Sequence, residues 1–128
     1  AWLDALPVPL DRVVVGGFSQ GAVMSLALGL GRDRPRPAGI VALSGFVPTV
    51  DGWEPDLEGG LPPVALGHGT YDPVIPVEFG RRAHRLLADA GADVTYRESP
   101  LPHAIDPRYA AELAGWVERA LRRAPTAR

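Results

Sequence analysis

Residues 17–21 read Gly-Phe-Ser-Gln-Gly and separate two apolar stretches, 12–16 (Arg-Val-Val-Val-Gly) and 22–28 (Ala-Val-Met-Ser-Leu-Ala-Leu). The short β-branched stretch predicts a buried strand, and the longer apolar stretch predicts a buried helix. A Gly-x-Ser-x-Gly sequence between a strand and a helix is typical of a sharp turn that holds the serine exposed at its tip. Because the strand and the helix must approach closely there, we expect a Cβ on either glycine to clash. The stretch therefore makes Ser19 a candidate nucleophile.

The composition fits one globular domain. The chain has 128 residues, of which 46% are hydrophobic, so it is long enough for one core and too short for two. The formal net charge is -2 and no stretch clusters Lys or Arg with aromatic residues, so we expect no nucleic-acid partner. Without cysteine the sequence has no disulfide, no thiolate nucleophile and no Cys-based metal site. We expect a cytoplasmic protein that uses no metal and no other cofactor.

No residue from 13 to 31 is charged, and this run is as long as the roughly 20 residues of a membrane-spanning helix. Glycine and serine interrupt it repeatedly, and the strand and helix of an α/β sheet explain the same run. We therefore expect no stable insertion into a membrane. The sequence begins Ala1-Trp2 and shows none of the basic, apolar and small-residue regions of a signal peptide.

Strand-like and helical patterns alternate along the chain. Short apolar or β-branched stretches predict strands at 12–16, 39–43, 64–67 and 94–97, and longer patterns predict helices at 20–30, 76–90 and 107–123. This alternation predicts an α/β fold with a parallel sheet and flanking helices. In the middle helix, five apolar side chains are expected to form one buried face: Phe79, Ala83, Leu86, Leu87 and Ala90.

The segment 44–63 shows neither pattern. It is rich in Pro and Gly and carries Phe46, Val47 and Trp53. A loop of about 20 residues in a compact domain is uncommon and is usually functional. We therefore expect this loop to contribute to the site.

A serine hydroxyl needs a histidine to take its proton, and that histidine needs an acceptor for its other N–H. The chain has three histidines. His84 lies among arginines on the predicted middle helix and is expected to be solvated. His68 ends the third predicted strand, but it precedes every plausible acid in the chain. His103 follows the last strand in a proline-stiffened loop, where open α/β sheets place their sites, and is the base that we favour.

The acid is expected after a strand that lies between the serine and the histidine in chain order. Asp72 directly follows the third predicted strand and meets this requirement, although it also fits a turn before a proline. Asp106 lies near the favoured histidine, but an N-cap of the last helix explains it better. Asp93 opens a strand and so falls at the opposite edge of the sheet. The sequence therefore favours Asp72.

Four segments carry a resemblance to a known family: 16–22 (Gly-Gly-Phe-Ser-Gln-Gly-Ala), 43–46 (Leu-Ser-Gly-Phe), 68–76 (His-Gly-Thr-Tyr-Asp-Pro-Val-Ile-Pro) and 102–103 (Pro-His). From about residue 12 to residue 121 the chain resembles the phospholipase/carboxylesterase family, which includes acyl-protein thioesterases and lysophospholipases. The resemblance implies an α/β-hydrolase fold with Ser19 as nucleophile, Asp72 as acid and His103 as base. It also implies that Gln20 supplies one backbone N–H of the oxyanion hole.

The resemblance covers the C-terminal part of the family pattern. Family members carry early strands on the N-terminal side, and a loop after one of them provides the second oxyanion donor. We therefore expect residues 1–128 to form a single α/β-hydrolase domain that lacks its N-terminal strands. Loss of one oxyanion donor costs about 3 to 4 kcal/mol of transition-state stabilisation, so a weak catalyst with an intact triad is expected.

The leading hypothesis is a cofactor-independent serine hydrolase of carboxylic esters or thioesters with an apolar acyl part. Apolar side chains in loops at the expected catalytic edge are the candidate lining of the acyl pocket: Phe46, Trp53, Val74, Ile75 and Leu101. Two other hypotheses stay open, a non-catalytic remnant that keeps the fold, and a serine peptidase or acyltransferase on the same scaffold. The sequence also leaves a homodimer open.

Overall fold

The computed structural model describes residues 7–32, 35–49 and 51–123. Within these ranges one sheet contains four parallel strands in the order β1-β2-β3-β4. The strands are β1 (Val14–Phe18), β2 (Gly39–Leu43), β3 (Val64–Gly69) and β4 (Val94–Ser99). The α-helices are α1 (Gln20–Leu30), α2 (Val77–Asp89) and α3 (Pro107–Arg123). The predicted α/β fold with a parallel sheet and flanking helices is confirmed.

The register brings the carboxyl ends of all four strands to one edge of the sheet. Phe18 pairs with Leu43, Leu43 with Gly67, and Gly69 with Ser99. We call this the carboxyl edge, and the opposite edge, where the strands begin, the amino edge. The segments that follow the strands start at residues 19, 44, 70 and 100, so they lie side by side at the carboxyl edge. Open α/β sheets place their sites in this position.

The sheet is covered on both faces. On one face, α1 and α2 pack through side chains such as Leu26 and Leu87 against Ile40 and Val64. On the other face, α3 packs through Tyr109, Leu113, Trp116 and Ala120 against Leu43 and Ala65. Alternate residues of each strand therefore serve different cores, as the period of two in a strand requires.

Three strands end later than the sequence predicts. β1 begins at Val14 because Leu10–Arg12 form a short 3-10 helix, and it continues through Phe18 to the turn itself. β3 and β4 each run two residues past the predicted end, to Gly69 and Ser99. Ladder pairing with the neighbouring strand extends these ends although glycine and polar residues interrupt the apolar pattern there.

The predicted buried face of α2 is partly wrong. The buried residues are Val77, Gly80, Ala83 and Leu87, whereas Phe79 is 36% exposed. Gly80 takes the inner position because a Cβ there would lie 2.7 Å from Nδ1 of His68. The helix therefore approaches β3 through a glycine.

The long loop between β2 and β3 contains no helix or extended strand among its described residues. It leaves the carboxyl edge and reaches the far end of α1, where Pro55 bridges with Gly31 and the Asp56 N–H donates to the Leu30 carbonyl at 2.7 Å. The Arg36 guanidinium fixes this path by donating to the carbonyls of Gly29 and Asp56. The loop therefore spans the whole height of the domain rather than staying at one edge.

The uncharged run 13–31 divides into β1, a turn at Ser19 and α1. In the ranges that the structure describes, none of the helices is both long and apolar enough to cross a membrane.

Candidate active site

Ser19 occupies a strained turn between β1 and α1. Its backbone has φ 58° and ψ -117°, a conformation that is costly for a residue with a side chain. The Ser19 N–H still donates to the Leu43 carbonyl at 2.8 Å, and its carbonyl accepts the N–H groups of Ala22 and Val23 at 3.0 and 3.1 Å. Bonds to the sheet and to the helix thus hold the turn in place and keep the side chain at the carboxyl edge.

Close approach at this turn depends on Gly17 and Gly45. A Cβ on Gly17 would lie 2.5 Å from the carbonyl carbon of Gly21, so the first predicted clash is real. The prediction for Gly21 is wrong, because a Cβ there meets no atom within 4 Å. A Cβ on Gly45, in the loop after β2, would lie 2.6 Å from that of Ala22. The glycines that permit the close approach therefore lie in β1 and in the loop after β2, and both face the first turn of α1.

Three side chains from three loops form one hydrogen-bonded chain. The Ser19 hydroxyl donates to Nε2 of His103 over 2.9 Å, and Nδ1 of His103 donates to Oδ2 of Asp72 over 2.7 Å. These residues are 84 and 31 positions apart in sequence and follow β1, β4 and β3. Such an arrangement lets the histidine take the serine proton while the carboxylate fixes its tautomer.

Asp72 uses its two oxygens for different purposes. Oδ1 accepts the N–H groups of Val74 and Ile75 at 2.8 and 2.9 Å and so closes the turn after β3, while Oδ2 faces His103. Burial would raise the pKa of Asp72, but the hydrogen bonds from His103, Ile75 and Val74 outweigh it and hold the pKa below its ordinary value. The turn-forming and histidine-orienting interpretations of Asp72 are therefore compatible.

Phe18 contacts the histidine directly. The two ring centroids are 4.7 Å apart with an interplanar angle of 41°. The His103 side chain is 20% exposed, so Phe18 covers part of the imidazole that would otherwise be open. The sequence alone does not predict this contact, although a residue directly before the serine in a strand at the carboxyl edge is well placed for it.

The remaining candidates lie outside the chain of Ser19, His103 and Asp72. The His84 ring stacks on Tyr96 with centroids 4.6 Å apart, so it is packed and not simply solvated. Asp106 caps α3 by accepting the Arg108 N–H at 2.9 Å, and its other oxygen accepts the Ser99 hydroxyl. Asp93 pairs with Arg123 at the amino edge, far from the triad.

His84 belongs to a surface cluster on α2 and β4, which we call the exposed cluster and which joins exposed Arg81 to half-buried His84, Tyr96 and Glu98. Arg81 donates twice to the Glu98 carboxylate, at 2.7 and 2.9 Å, and the Tyr96 hydroxyl donates at 2.6 Å. These bonds from Arg81 and Tyr96 lower the pKa of Glu98 to about 2. Burial and the bond to Glu98 raise the pKa of Tyr96.

The five apolar candidates are not all near the triad. Phe46 lines a cavity of about 190 Å³ between the loop after β2 and α2, with its ring 5.5 Å from that of Phe79. Val74 is exposed, and Ile75 and Leu101 are half-buried, in the loops that carry Asp72 and His103. The structure does not bring Trp53 to this edge. Trp53 lies beside Gly31, at the far end of α1, about 16 Å of helix away from Ser19.

One backbone donor is available next to the serine. Gln20 is the first residue of α1, and the first N–H groups of a helix have no acceptor within the helix. The positive end of the helix dipole also favours a negative charge beside this donor.

Among the described residues, no group of three or more His, Asp or Glu side chains is arranged to hold a metal ion.

A parallel sheet with a strained serine turn after one strand, and an acid and a histidine after later strands, is the pattern of the α/β-hydrolase fold. The sequence profile of the phospholipase/carboxylesterase family matches residues 1–120, and the chain belongs to this family. The resemblance predicted from the four segments is confirmed.

Individual relatives agree with this placement. The chain is 31% identical to acyl-protein thioesterase 1 of Debaryomyces hansenii and 35% identical to acyl-protein thioesterase 1 of Mycosarcoma maydis, covering 94% and 93% of this chain. It covers 53% and 52% of those proteins, so it spans about half the length of the curated relatives it matches.

Solved structures show the same fold. The chain superimposes on esterase PE8 with a TM-score of 0.79 at 27% identity, covering 93% of this chain and 55% of that one. It superimposes on acyl-protein thioesterase 2 of Zea mays with a TM-score of 0.71 at 26% identity, covering 94% of this chain and 60% of that one.

Proposed function

We propose that this chain carries the triad of a serine hydrolase that cleaves carboxylic esters or thioesters through an acyl-serine intermediate. The observation that carries the proposal is the hydrogen-bonded chain from the Ser19 hydroxyl through His103 to the Asp72 carboxylate. The names of the relatives, acyl-protein thioesterases, support the same reaction class. Ser19 is the nucleophile, His103 the general base and then the general acid, and Asp72 the group that orients the histidine.

The proposed reaction has two halves. Ser19 Oγ attacks the acyl carbon while its proton moves to Nε2 of His103, and the tetrahedral intermediate collapses when His103 returns that proton to the leaving alcohol or thiol. In the second half, His103 takes a proton from water, the resulting hydroxide attacks the acyl carbon, and the bond to Ser19 Oγ breaks. His103 then returns its proton to Ser19, and the carboxylic acid is released.

The Gln20 N–H is placed to donate to the developing oxyanion because it directly follows the nucleophile at the start of α1. We propose that the second donor comes from the N-terminal part of the family fold. If so, joining that part of a close homologue to residues 1–128, or adding it in trans, should raise turnover of p-nitrophenyl butyrate and reduce light scattering. Equal turnover and solubility with and without the added part would contradict this proposal.

The proposed substrate has an apolar acyl part. A cavity between Phe46 and Phe79 lies in the segment that directly follows Gly45, and a Cβ on Gly45 would lie 3.2 Å from the Ser19 carbonyl oxygen, so this apolar cavity is our candidate for the acyl site. Val74, Ile75 and Leu101 are proposed as the opposite wall, because their loops carry Asp72 and His103. We further propose a cytoplasmic location, which the absence of cysteine supports.

Hydrolysis of p-nitrophenyl butyrate tests the proposal. In the protein joined to the N-terminal part of a close homologue, Ser19→Ala should lower kcat by about 10⁶, the loss seen when a triad nucleophile is removed. Ser25→Ala is a matched control: Ser25 lies one and a half turns along α1, and its hydroxyl donates only to the Gly21 carbonyl, so kcat should stay within twofold. Retention of a tenth of the activity by Ser19→Ala, with contamination excluded, would show that the nucleophile lies elsewhere.

A further inference from the structure

His68 is a buried titratable residue without a part in the proposed reaction. It lies one residue before the end of β3, and its side chain is 1% exposed. Its Nε2 lies 2.7 Å from the carbonyl oxygen of Ile75. A carbonyl oxygen only accepts, so Nε2 carries a hydrogen and donates it.

The same nitrogen faces the catalytic carboxylate. Nε2 of His68 is 3.7 Å from Oδ2 of Asp72, the oxygen that accepts the bond from His103. Ile75 is held at both ends, since its N–H donates to Asp72 Oδ1 and its carbonyl accepts from His68. His68, Asp72 and Ile75 therefore form a closed set of contacts around the carboxylate.

Packing fixes the His68 ring in this position. On the α2 side, Gly80 approaches so closely that a Cβ there would lie 2.7 Å from Nδ1 and 3.0 Å from Cγ of the ring. On the β4 side, Glu98 is the registered partner of His68 in the parallel ladder. The ring therefore lies between α2 and the turn after its own strand, and it has little freedom to rotate.

We propose that His68 is a positioning residue that holds the turn 72–75 against the sheet and thereby aims Oδ2 of Asp72 at His103. This inference rests on the proposed function. An apolar side chain in place of His68 can fill the volume, but it cannot hold the Ile75 carbonyl. The turn is then free to shift, and a displacement of about 1 Å in a catalytic group can cost on the order of 100-fold in rate.

Two substitutions separate the donor from the volume. His68→Leu removes the hydrogen-bond donor, whereas His68→Gln keeps an N–H at a similar distance from the main chain. We expect His68→Leu to lower kcat for p-nitrophenyl butyrate by about 10- to 100-fold with KM within twofold, and His68→Gln to recover most of kcat. A kcat for His68→Leu within twofold of the unmodified protein would overturn the proposal.

A double-mutant cycle with Asp72→Asn tests whether His68 acts through the carboxylate. If it does, His68→Leu should cost less than about threefold in the Asp72→Asn background, because no carboxylate remains to be positioned. An equal loss in both backgrounds would show a general effect on the fold and would overturn the proposal. All four proteins of the cycle are compared by the rate of phosphonate labelling of Ser19, which needs no turnover.

If His68→Leu does not fold by circular dichroism, Gly80→Ala gives the same cycle. This change keeps His68 but places a Cβ against its ring, and alanine does not lower the intrinsic helix propensity of α2. We expect a loss of at least fivefold that largely disappears in the Asp72→Asn background. No loss of kcat, or the same loss in both backgrounds, contradicts the proposal.

Labelling of the unmodified protein separates this inference from the proposed function. If the unmodified protein is labelled at Ser19 but the His68 and Gly80 variants react at the same rate, only this inference fails. If the unmodified protein is not labelled, the proposed function fails first.

Discussion

Asp72 and Glu98 lie near neighbouring strand ends, and both carboxylates have a lowered pKa, yet they are held in opposite ways. Glu98, in the exposed cluster, receives two bonds from the full positive charge of Arg81. Asp72 is buried and receives its bonds from two backbone N–H groups and a histidine. Backbone donors stabilise the carboxylate without cancelling its charge, so the negative field remains available when His103 takes a proton.

A carboxylate in this fold can therefore pair with an arginine, as Glu98 does, or orient a histidine, as we propose for Asp72, but the same carboxylate cannot do both. An arginine beside Asp72 would neutralise the field that a protonated histidine requires. Solvent screens the exposed cluster, so its ion pair contributes little to either stability or chemistry. The buried hydrogen bonds of Asp72 are expected to matter for rate, whereas the exposed cluster is expected to have only a small effect, and on stability alone.

The largest expected effect on kcat separates His103 from His84. His103→Ala should lower kcat for p-nitrophenyl butyrate by about 10⁶, as does loss of the serine, because proton transfer from Ser19 then lacks a base. His84→Ala, in the exposed cluster, should leave kcat within twofold, since that ring contacts Tyr96 and not the triad. If His84→Ala were as damaging as His103→Ala, the division between the two clusters would be wrong.

The next largest effect on kcat separates the carboxylates of Asp72 and Glu98. Asp72→Asn should lower kcat by about 10³ to 10⁴, because an amide NH₂ facing Nδ1 favours the wrong tautomer of His103. Glu98→Gln is nearly isosteric as well and should change kcat by less than twofold. Steady-state assays of both variants at pH 7.5 decide the point; a larger loss from Glu98→Gln would mean that the exposed pair supports catalysis.

Asp106 lies close to His103 in sequence, as a catalytic acid could, but its hydrogen bond goes to the first turn of α3. Asp106→Asn keeps an acceptor for the Arg108 N–H and should leave both kcat and Tm nearly unchanged. Asp106→Ala removes the cap and should lower Tm by about 3 °C with kcat again within twofold. Thermal unfolding followed by circular dichroism gives Tm. If Asp106→Asn abolished turnover while Asp72→Asn did not, the acid would have been misassigned.

The smallest effect concerns the stability of the exposed cluster with pH. The pKa of Glu98 is about 2 in the folded chain and 4.5 in its ordinary state, so its stabilising contribution is present above pH 4.5 and is lost as the pH falls towards 2. Solvent exposure of Arg81 keeps this contribution small. Urea unfolding should show Glu98→Gln less stable than the unmodified protein at pH 7 and equal to it near pH 2. A difference in stability between the two proteins that grows as the pH falls would contradict the expected loss of the Glu98 contribution.

Much of the fold can be predicted from periodicity, because each strand is a short apolar stretch and each helix has an apolar face. The strand ends could not be predicted: Gly17, His68 and Ser99 break the apolar pattern, and only pairing with neighbouring strands makes these positions part of the ladder. The inner face of α2 was misjudged for a related reason. No hydrophobicity pattern assigns Gly80 to a core, since the cause lies in its contact with a ring on another element.

The triad residues could be proposed from chain order and from the edge at which each strand ends, since both follow from the local pattern. The path of the long loop could not. Trp53 sits at the far end of α1 because Pro55 bridges with Gly31 and because Arg36 holds the loop there, and these contacts join residues 20 or more positions apart. Phe18 and His68 were missed as supports because their roles are defined by ring contacts across the carboxyl edge.

The most direct test of the central claim, that the buried chain of hydrogen bonds activates Ser19, is the site and rate of labelling by a fluorophosphonate. Trypsin cleaves after Arg12 and Arg32, so the peptide 13–32 carries both Ser19 and Ser25, and fragmentation distinguishes them. The account predicts stoichiometric label on Ser19, none on Ser25, and a labelling rate at least 10³-fold lower in His103→Ala. Label on another residue, or an unchanged rate on Ser19 without His103, would contradict it.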